Sequence, residues 1–365
     1  MSGVPVRCVV LLAALTVAGC GRPGKPPAIQ WQRTVGLEPN YGSSVQQTSD
    51  GGYIVAGVSA TDTFPAALLF PDILLVKLDS LGNTEWERSY GGPDLDRAYA
   101  VKQTPDGGYV FAGRMDDRLE SSRAAVVKLD SLGNVQWADS GPALPSADDV
   151  ALTADGGYIA VGGAMFDSAY LRKLDALGNL EWHVALPEAF FHEPWGGAPL
   201  RVHQTSDRGY ITSYTSVHKV DSLGNLQWSR RHNRVEVLFC TRLAVDGGYI
   251  ATGITRDPRW REFEYRLVLL KMDAEGREVW RRSYRDGSLT SGEFIQQLPD
   301  GGYFLVGNSD RGPWLARTDE RGRALWAGNL PGLDSLSADM GASTRDGGYI
   351  VTLGSTLVKL APEGK

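Results

Sequence analysis

One tetrapeptide recurs seven times along the 365 residues, and its spacing limits what the chain can become. Asp-Gly-Gly-Tyr begins at Asp50, Asp106, Asp155, Asp246, Asp300 and Asp346 and reads Asp-Arg-Gly-Tyr at Asp207. A second phrase, an aspartate followed by Gly-x-x-x-Trp, starts at Asp79, Asp130, Asp175, Asp221, Asp273 and Asp319 and ends at Trp86, Trp137, Trp182, Trp228, Trp280 and Trp326. The seventh copy is split. "TLVKLAPEGK" ends at Lys365 without its tryptophan, while Trp31 in "AIQWQRTVG" stands near the other end with no matching run before it.

Within a unit such as "AYAVKQTPDGGYVFAGRM…AAVVKLDSLGNVQWADS", four short runs rich in Val, Tyr and Ala are separated by two hairpin signals, "TPDGG" and "DSLGN". Each unit therefore reads as a four-stranded antiparallel meander, strands A to D. Strand-patterned repeats of roughly 48 residues are propeller blades rather than helical solenoids. The predicted fold is an all-β, seven-bladed β-propeller of four-stranded antiparallel blades. The N-terminal strand carrying Trp31 supplies strand D to the C-terminal blade, which closes the ring and removes the free sheet edges of an open array.

The residue types assign roles within the blade. In the A–B turn the second glycine, at Gly52, Gly108, Gly157, Gly209, Gly248, Gly302 and Gly348, is expected to take the left-handed conformation, because Arg208 replaces the first glycine in one copy. The aspartate heading each C–D turn is expected to accept the turn's free N–H groups rather than to bind a metal, since no unit has dense Asp-x-Asp-x-Asp-Gly spacing. Trp31, Trp86, Trp137, Trp182, Trp228, Trp280 and Trp326, near the start of strand D, are expected to wedge between neighbouring blades.

These units resemble the DGGY-type propeller repeats of bacterial lipoproteins, over residues 29–365. More distantly, "LDSLGNxxW" is similar to the tryptophan-docking motif of quinoprotein propellers, with one residue's difference between Asp and Gly. It also differs from the sialidase Asp-box, whose Asp and Gly are two apart. No cofactor signature accompanies either likeness, so no cofactor or metal is predicted.

The N-terminus fits an export pathway. Residues 1–19 pair Arg7 with a short apolar run from Cys8 to Val17, as in a signal peptide and too short for a permanent span. Val17-Ala18-Gly19-Cys20 resembles the bacterial lipobox, which implies lipidation of Cys20 as the first mature residue. Residues 20–28 then read as a lipidated flexible tether, and Gly21 implies an outer-membrane address where the host has such a membrane. Cys240 would be left alone, in the apolar run "VEVLFC", as a small buried hydrophobe. A formal charge of −6 with both signs interspersed argues against nucleic acid as a partner.

Strand order puts the tight, uniform A–B and C–D turns on one face and the unequal B–C and D–A connections on the other. Diverse loops on a rigid scaffold are where recognition is placed. On that varied face, "LPEAFFHEPWGGAP" carries Phe191, His192 and Trp195, and "TRDPRWREFEYR" carries Arg259, Trp260, Arg261 and Phe263. Aromatics beside arginines suit sugars, anionic groups or a protein partner. Charge is uneven around the ring: Asp94–Asp155 is acid-rich and Arg230–Arg285 is base-rich. Gln46, Lys102, His203, Arg242 and Gln296 on strand A are expected to line the pore.

The function expected is that of a monomeric, lipid-anchored envelope protein that binds an envelope protein or glycan through its varied face, without chemistry of its own. Two alternatives stand beside it: a carbohydrate-active hydrolase or lyase, and an envelope-assembly factor. No Gly-x-Ser-x-Gly or His-Glu-x-x-His motif occurs to favour the enzyme.

Overall fold

The structure, a computed structural model, describes residues 23–36, 44–59, 72–92, 96–116, 122–140, 146–164, 168–187, 200–256, 265–284 and 289–363. The A–B hairpin signal folds as a hairpin in all seven repeats and the C–D signal in six, and the chain forms seven four-stranded antiparallel sheets. The innermost strands, A, are Ser44–Gln47, Arg97–Gln103, Asp149–Leu152, Arg201–Gln204, Val235–Leu243, Leu289–Gln297 and Met340–Ser343. Each touches the strand A of the blades on either side, including the last against the first, and the sheets close into a seven-bladed β-propeller.

Closure is by a shared blade. Blade seven is built from Met340–Ser343, Tyr349–Leu353 and Thr356–Leu360, and its outermost strand is Ile29–Thr34 from the other end of the chain. Trp31 pairs with Lys359 and Thr34 with Thr356 in antiparallel register. Two further backbone bonds extend the seam, Ala361 N to Ala28 O and Val35 N to Ser355 O. The split seventh repeat is thus one continuous sheet.

Burial follows from stacking sheets around an axis. Strands B and C are covered on both faces by the adjacent blades, so they read as unbroken apolar runs such as Tyr53–Val58 and Ile73–Leu78, whereas strand D is a half-wet edge. The core is a series of layers between blades. Ile54, Ile73 and Leu75 of blade one, for example, pack on Val101, Phe111 and Val127 of blade two. Each strand-D tryptophan reaches the next layer: Trp31 meets Tyr53 at 5.7 Å edge-on, and the same contact joins Trp86 to Tyr109, Trp137 to Tyr158, Trp182 to Tyr210, Trp228 to Tyr249, Trp280 to Tyr303 and Trp326 to Tyr349. The tyrosine is that of the next Asp-Gly-Gly-Tyr, so the two recurring phrases are halves of one inter-blade contact.

The turn glycines exchange the roles expected of them. The left-handed residue is the first glycine, with φ of 90° at Gly51 and 81° at Gly107, and Arg208 takes that conformation at 63°. Gly51 N donates to Thr48 O and Thr48 N to Gly52 O, so a tight turn ends on the left-handed residue before the strands pair. At the second glycine, Gly52, Gly108, Gly157, Gly209, Gly248, Gly302 or Gly348, φ is not positive. Its need is space: a Cβ there would overlap the carbonyl at the end of strand C, Leu78 O in blade one and Val220 O in blade four. Arg208 is tolerated because the equivalent Gly51 and Gly107 face open space.

The carboxylate of the same motif knots the blade together. Asp50 accepts from Gly52 N and Thr48 Oγ1 and pairs with the buried Lys77 at 2.8 Å. These donors outweigh desolvation and hold the Asp50 carboxyl down to about 2. Lys128, Lys173, Lys219, Lys271, Arg317 and Lys359 repeat the contact in the other blades. At the C–D turn, Asp79 Oδ1 accepts from Leu81 N and Asn83 N, and Oδ2 from Asn83 Nδ2, which is the capping expected.

The spacer differs from expectation in part. Gly24 forms a parallel bridge with Trp326, bonding Leu325 O and Ala327 N on strand D of blade six. From Gly24 onward the segment assigned as free tether is therefore held against the propeller. Cys20 lies outside the described residues.

Candidate functional site

The seven varied-face candidates, Phe191, His192, Trp195, Arg259, Trp260, Arg261 and Phe263, lie outside the described residues. Tyr265, which follows them at the start of the strand Tyr265–Met272, is half-buried and packs on a core cluster drawn from blades three to five. What can be built residue by residue is the channel and the mouth it opens on that face.

The face bearing the uniform turns is occupied with its own structure. Glutamines at the end of strand A bridge blades: Gln47, Gln103, Gln204 and Gln297 accept the backbone N–H of Arg345, Ser49, Ala154 and Val245 in the preceding blade's turn. Gln46 and Gln296, expected to line the pore, serve the same end. Their side-chain oxygens accept Gln103 N and Ser343 N of the following blade at 2.7 and 2.8 Å. One exposed leucine marks the C–D turn of each of blades one to four, at Leu81, Leu132, Leu177 and Leu223.

The three remaining pore candidates share one level. Lys102, His203 and Arg242 each stand four residues before the turn aspartate of their blade, so equivalent strand-A positions of blades two, four and five bring three basic side chains to the same depth. All three are half-buried. Among the described residues, none of them has an ion-pair partner; His203 Nε2 and Arg242 Nε are buried without a hydrogen bond, and the Arg242 guanidinium lies 5.0 Å from the Phe294 ring. Desolvation lowers the Lys102 pKa, countered by Asp149 and reinforced by Arg242 and Arg201; desolvation and the same cations push His203 well below its usual value, so its ring is neutral.

Nearer the varied face the strand-A side chains are acidic or amphipathic. Arg201, 8% exposed, stands 4.0 Å from Asp149 in blade three and donates to Tyr99 O in blade two, so it crosses the channel mouth. Asp148 accepts from Ser146 Oγ and Leu200 N, and Asp149 from Val202 N. Glu293, on the far wall, accepts from Asn308. Burial raises the pKa of both Asp148 and Glu293, the latter also through repulsion from Asp339. The mouth thus holds carboxyls biased toward the protonated form beside a guanidinium, while the deeper level holds cations and a neutral imidazole.

Two sets of residues fall outside the sequence expectations. The buried cation of strand C was visible as the Lys, or Arg317 in blade six, two positions before each C–D turn aspartate. Arg201, Asp148 and Glu293 occur once each, so no periodicity could mark them; only the ring brings them together. No group of three or more His, Cys, Asp or Glu among the described residues is placed to hold a metal.

No family model matches the chain, and no curated protein matches it in sequence. Solved structures resemble it in shape. A streptogramin B lyase superposes with a TM-score of 0.63 at 13% identity, covering 90% of this chain and 97% of that one. A catalytically inactive virginiamycin B lyase from Staphylococcus aureus with quinupristin gives 0.62 at 10%, covering 91% and 99%. YCF48 bound to D1 peptide gives 0.57 at 9%, covering 93% and 100%. At such identities the likeness is one of fold, and it agrees with the propeller.

Proposed function

We propose that the protein is a lipid-anchored binding propeller of the bacterial envelope, tethered through Cys20 and recognising an envelope protein or glycan with its varied face. The observation that carries this reading is the inequality of the two faces. On one, turn carboxylates, lysines and glutamines satisfy each other within and between blades in a repeated pattern. On the other, the connections are of unequal length in the sequence, and the channel mouth is built from residues that occur once, Arg201, Asp148 and Glu293. Support for the orientation comes from Gly24, which lies beside the start of strand D in blade six, at the uniform-turn end. A chain anchored just before it turns the varied face away from the bilayer.

The test uses the full chain in a bacterial host. Cys20→Ser should release the protein from the membrane fraction and abolish incorporation of labelled palmitate. Cross-linking in intact envelopes should recover one defined partner, lost when residues 188–199 and 257–264 are replaced by short Gly-Ser links. Retention of the same partner after both replacements overturns the binding-face assignment.

A second reading, a hydrolase or lyase, is favoured by Asp148 and Glu293, two carboxyls whose protonated forms burial favours at the channel mouth. It predicts turnover of a glycan that Asp148→Asn or Glu293→Gln abolishes while the fold is kept.

A further inference from the structure

The deep level of the channel holds charge that the protein itself does not neutralise. Three blades place Lys102, His203 and Arg242 at equivalent positions of their inner strands, and Arg201 enters from above. Elsewhere in the molecule a buried cation is paired: Lys77, Lys128, Lys173, Lys219, Lys271 and Lys359 each meet a turn carboxylate, and Arg172 meets Asp139 at 2.6 Å. Lys102 and Arg242 break that rule, for neither has an acidic partner among the described residues.

The nearby carboxyls do not make up the deficit. Asp148 is engaged by Leu200 N and Ser146, Glu293 by Asn308 and Asp339 by Gly354 N; Asp149 accepts Val202 N at one oxygen, while its other oxygen, 4.0 Å from Arg201, has no hydrogen bond and bears on Lys102, so a single carboxylate stands against Lys102, Arg242 and Arg201. All four stand two or three residues nearer the varied face than the basic level. Lys102 and Arg242 are half-buried, and gathering like charges at one level of an enclosed channel is unfavourable, so an anion brought among them is correspondingly favoured.

We infer that the channel is an anion site, in which Lys102 and Arg242, with His203 beside them, hold a small oxyanion of the phosphate or carboxylate kind beneath Arg201. The guanidinium offers a planar donor fork, the ammonium a compact charge, and His203, with its unpartnered Nε2, one further donor when that nitrogen carries the proton. The opposite wall at this depth contributes Gln46 and Gln296, neutral amides whose oxygens each accept a backbone N–H of the following blade, so no negative charge stands there to repel an anion. The inference stands on the ring geometry alone and is independent of the lipid anchor and of the varied-face loops.

Calorimetric titration of the full-length protein with inorganic phosphate and, separately, with succinate tests it. One saturable site is expected. Lys102→Met and Arg242→Gln should each weaken it about tenfold or more, the loss of one charge-assisted contact, while Arg231→Ala, an exposed rim charge, should leave it unchanged. Thermal unfolding supplies the second measurement. In anion-free buffer Lys102→Met should melt at or above the wild-type temperature, because it relieves repulsion. At saturating phosphate the order should reverse. Absence of saturable binding of both anions to the wild type, binding indifferent to Lys102→Met and Arg242→Gln, or no crossover in melting order overturns the proposal. Preference for phosphate over succinate, or the reverse, identifies which oxyanion the site takes.

Discussion

The rim that carries the hairpin turns and the centre of the channel are built by opposite rules. On the rim the main contacts recur at fixed offsets: aspartate with lysine, or arginine in blade six, tryptophan with the next blade's tyrosine, and in four blades glutamine with the preceding turn. In the channel the side chains at equivalent positions differ from blade to blade. Gln46, Lys102, Ala151, His203, Arg242, Gln296 and Ala342 occupy one level, and among the described residues Lys102 and Arg242 have no carboxylate within ion-pair distance. Repetition supplies stability because one solution is copied seven times, whereas a site requires departures from the copy.

The strongest challenge to that contrast is Trp326→Ala. Trp326 is 6% exposed, packs on Tyr349 and donates to Glu363, so its removal should cost about 3–5 kcal/mol in urea unfolding. A loss below about 1 kcal/mol would mean that the tryptophans decorate the ring rather than hold it.

A residue that occurs once gives the next effect. His218, 3% exposed on strand C of blade four, has its pKa lowered to about 4 by desolvation. The unfolded chain takes up that proton first, at about 6.5, so the histidine's contribution is intact above 6.5 and falls away as the pH drops toward 4. The loss is about 3 kcal/mol at pH 4. His218→Leu should remove this dependence, so that the gap between variant and wild-type midpoints widens steadily from pH 7 to 4. A constant gap would show that the ring is not excluded from protonation.

The two turn glycines should separate cleanly. Gly108→Ala pushes a methyl into Leu129 O and should cost about 1–3 kcal/mol. Gly107→Ala, with open space but φ of 81°, should cost about 1 kcal/mol. Equal costs at the two positions would remove the distinction drawn between them. The smallest effect is a gain: Arg208→Gly should stabilise blade four by about 0.5–1 kcal/mol, read as a rise in the chemical-unfolding midpoint.

Much of the architecture was legible because it is periodic. Six copies of Asp-Gly-Gly-Tyr, the Asp-Arg-Gly-Tyr at Asp207 and the split seventh repeat specify the blade count and the pairing of Ile29–Thr34 with Thr356–Leu360. The turn was less legible. One substitution, Arg208, suggests that the first glycine is dispensable and hence that the second is left-handed, but only if positive φ is the sole reason for glycine. The second glycine is required by a carbonyl on strand C, some twenty residues further along, and a local pattern cannot register such a neighbour. Strand position puts Gln46 and Gln296 in the pore, but their amides turn to the next blade's backbone.

The sequence by itself determined the repeat, the strand order and the circular closure, because each depends on hydrogen bonds and apolar alternation between residues close along the chain or repeated at a fixed period. Only the tertiary structure decided that Arg201 crosses to Tyr99 or that Lys102, His203 and Arg242 share one level without a carboxylate. Those residues lie up to about 140 positions apart and follow no period. Their charges meet because seven sheets are wrapped around one axis, and the dielectric of that enclosed space is set by the whole ring.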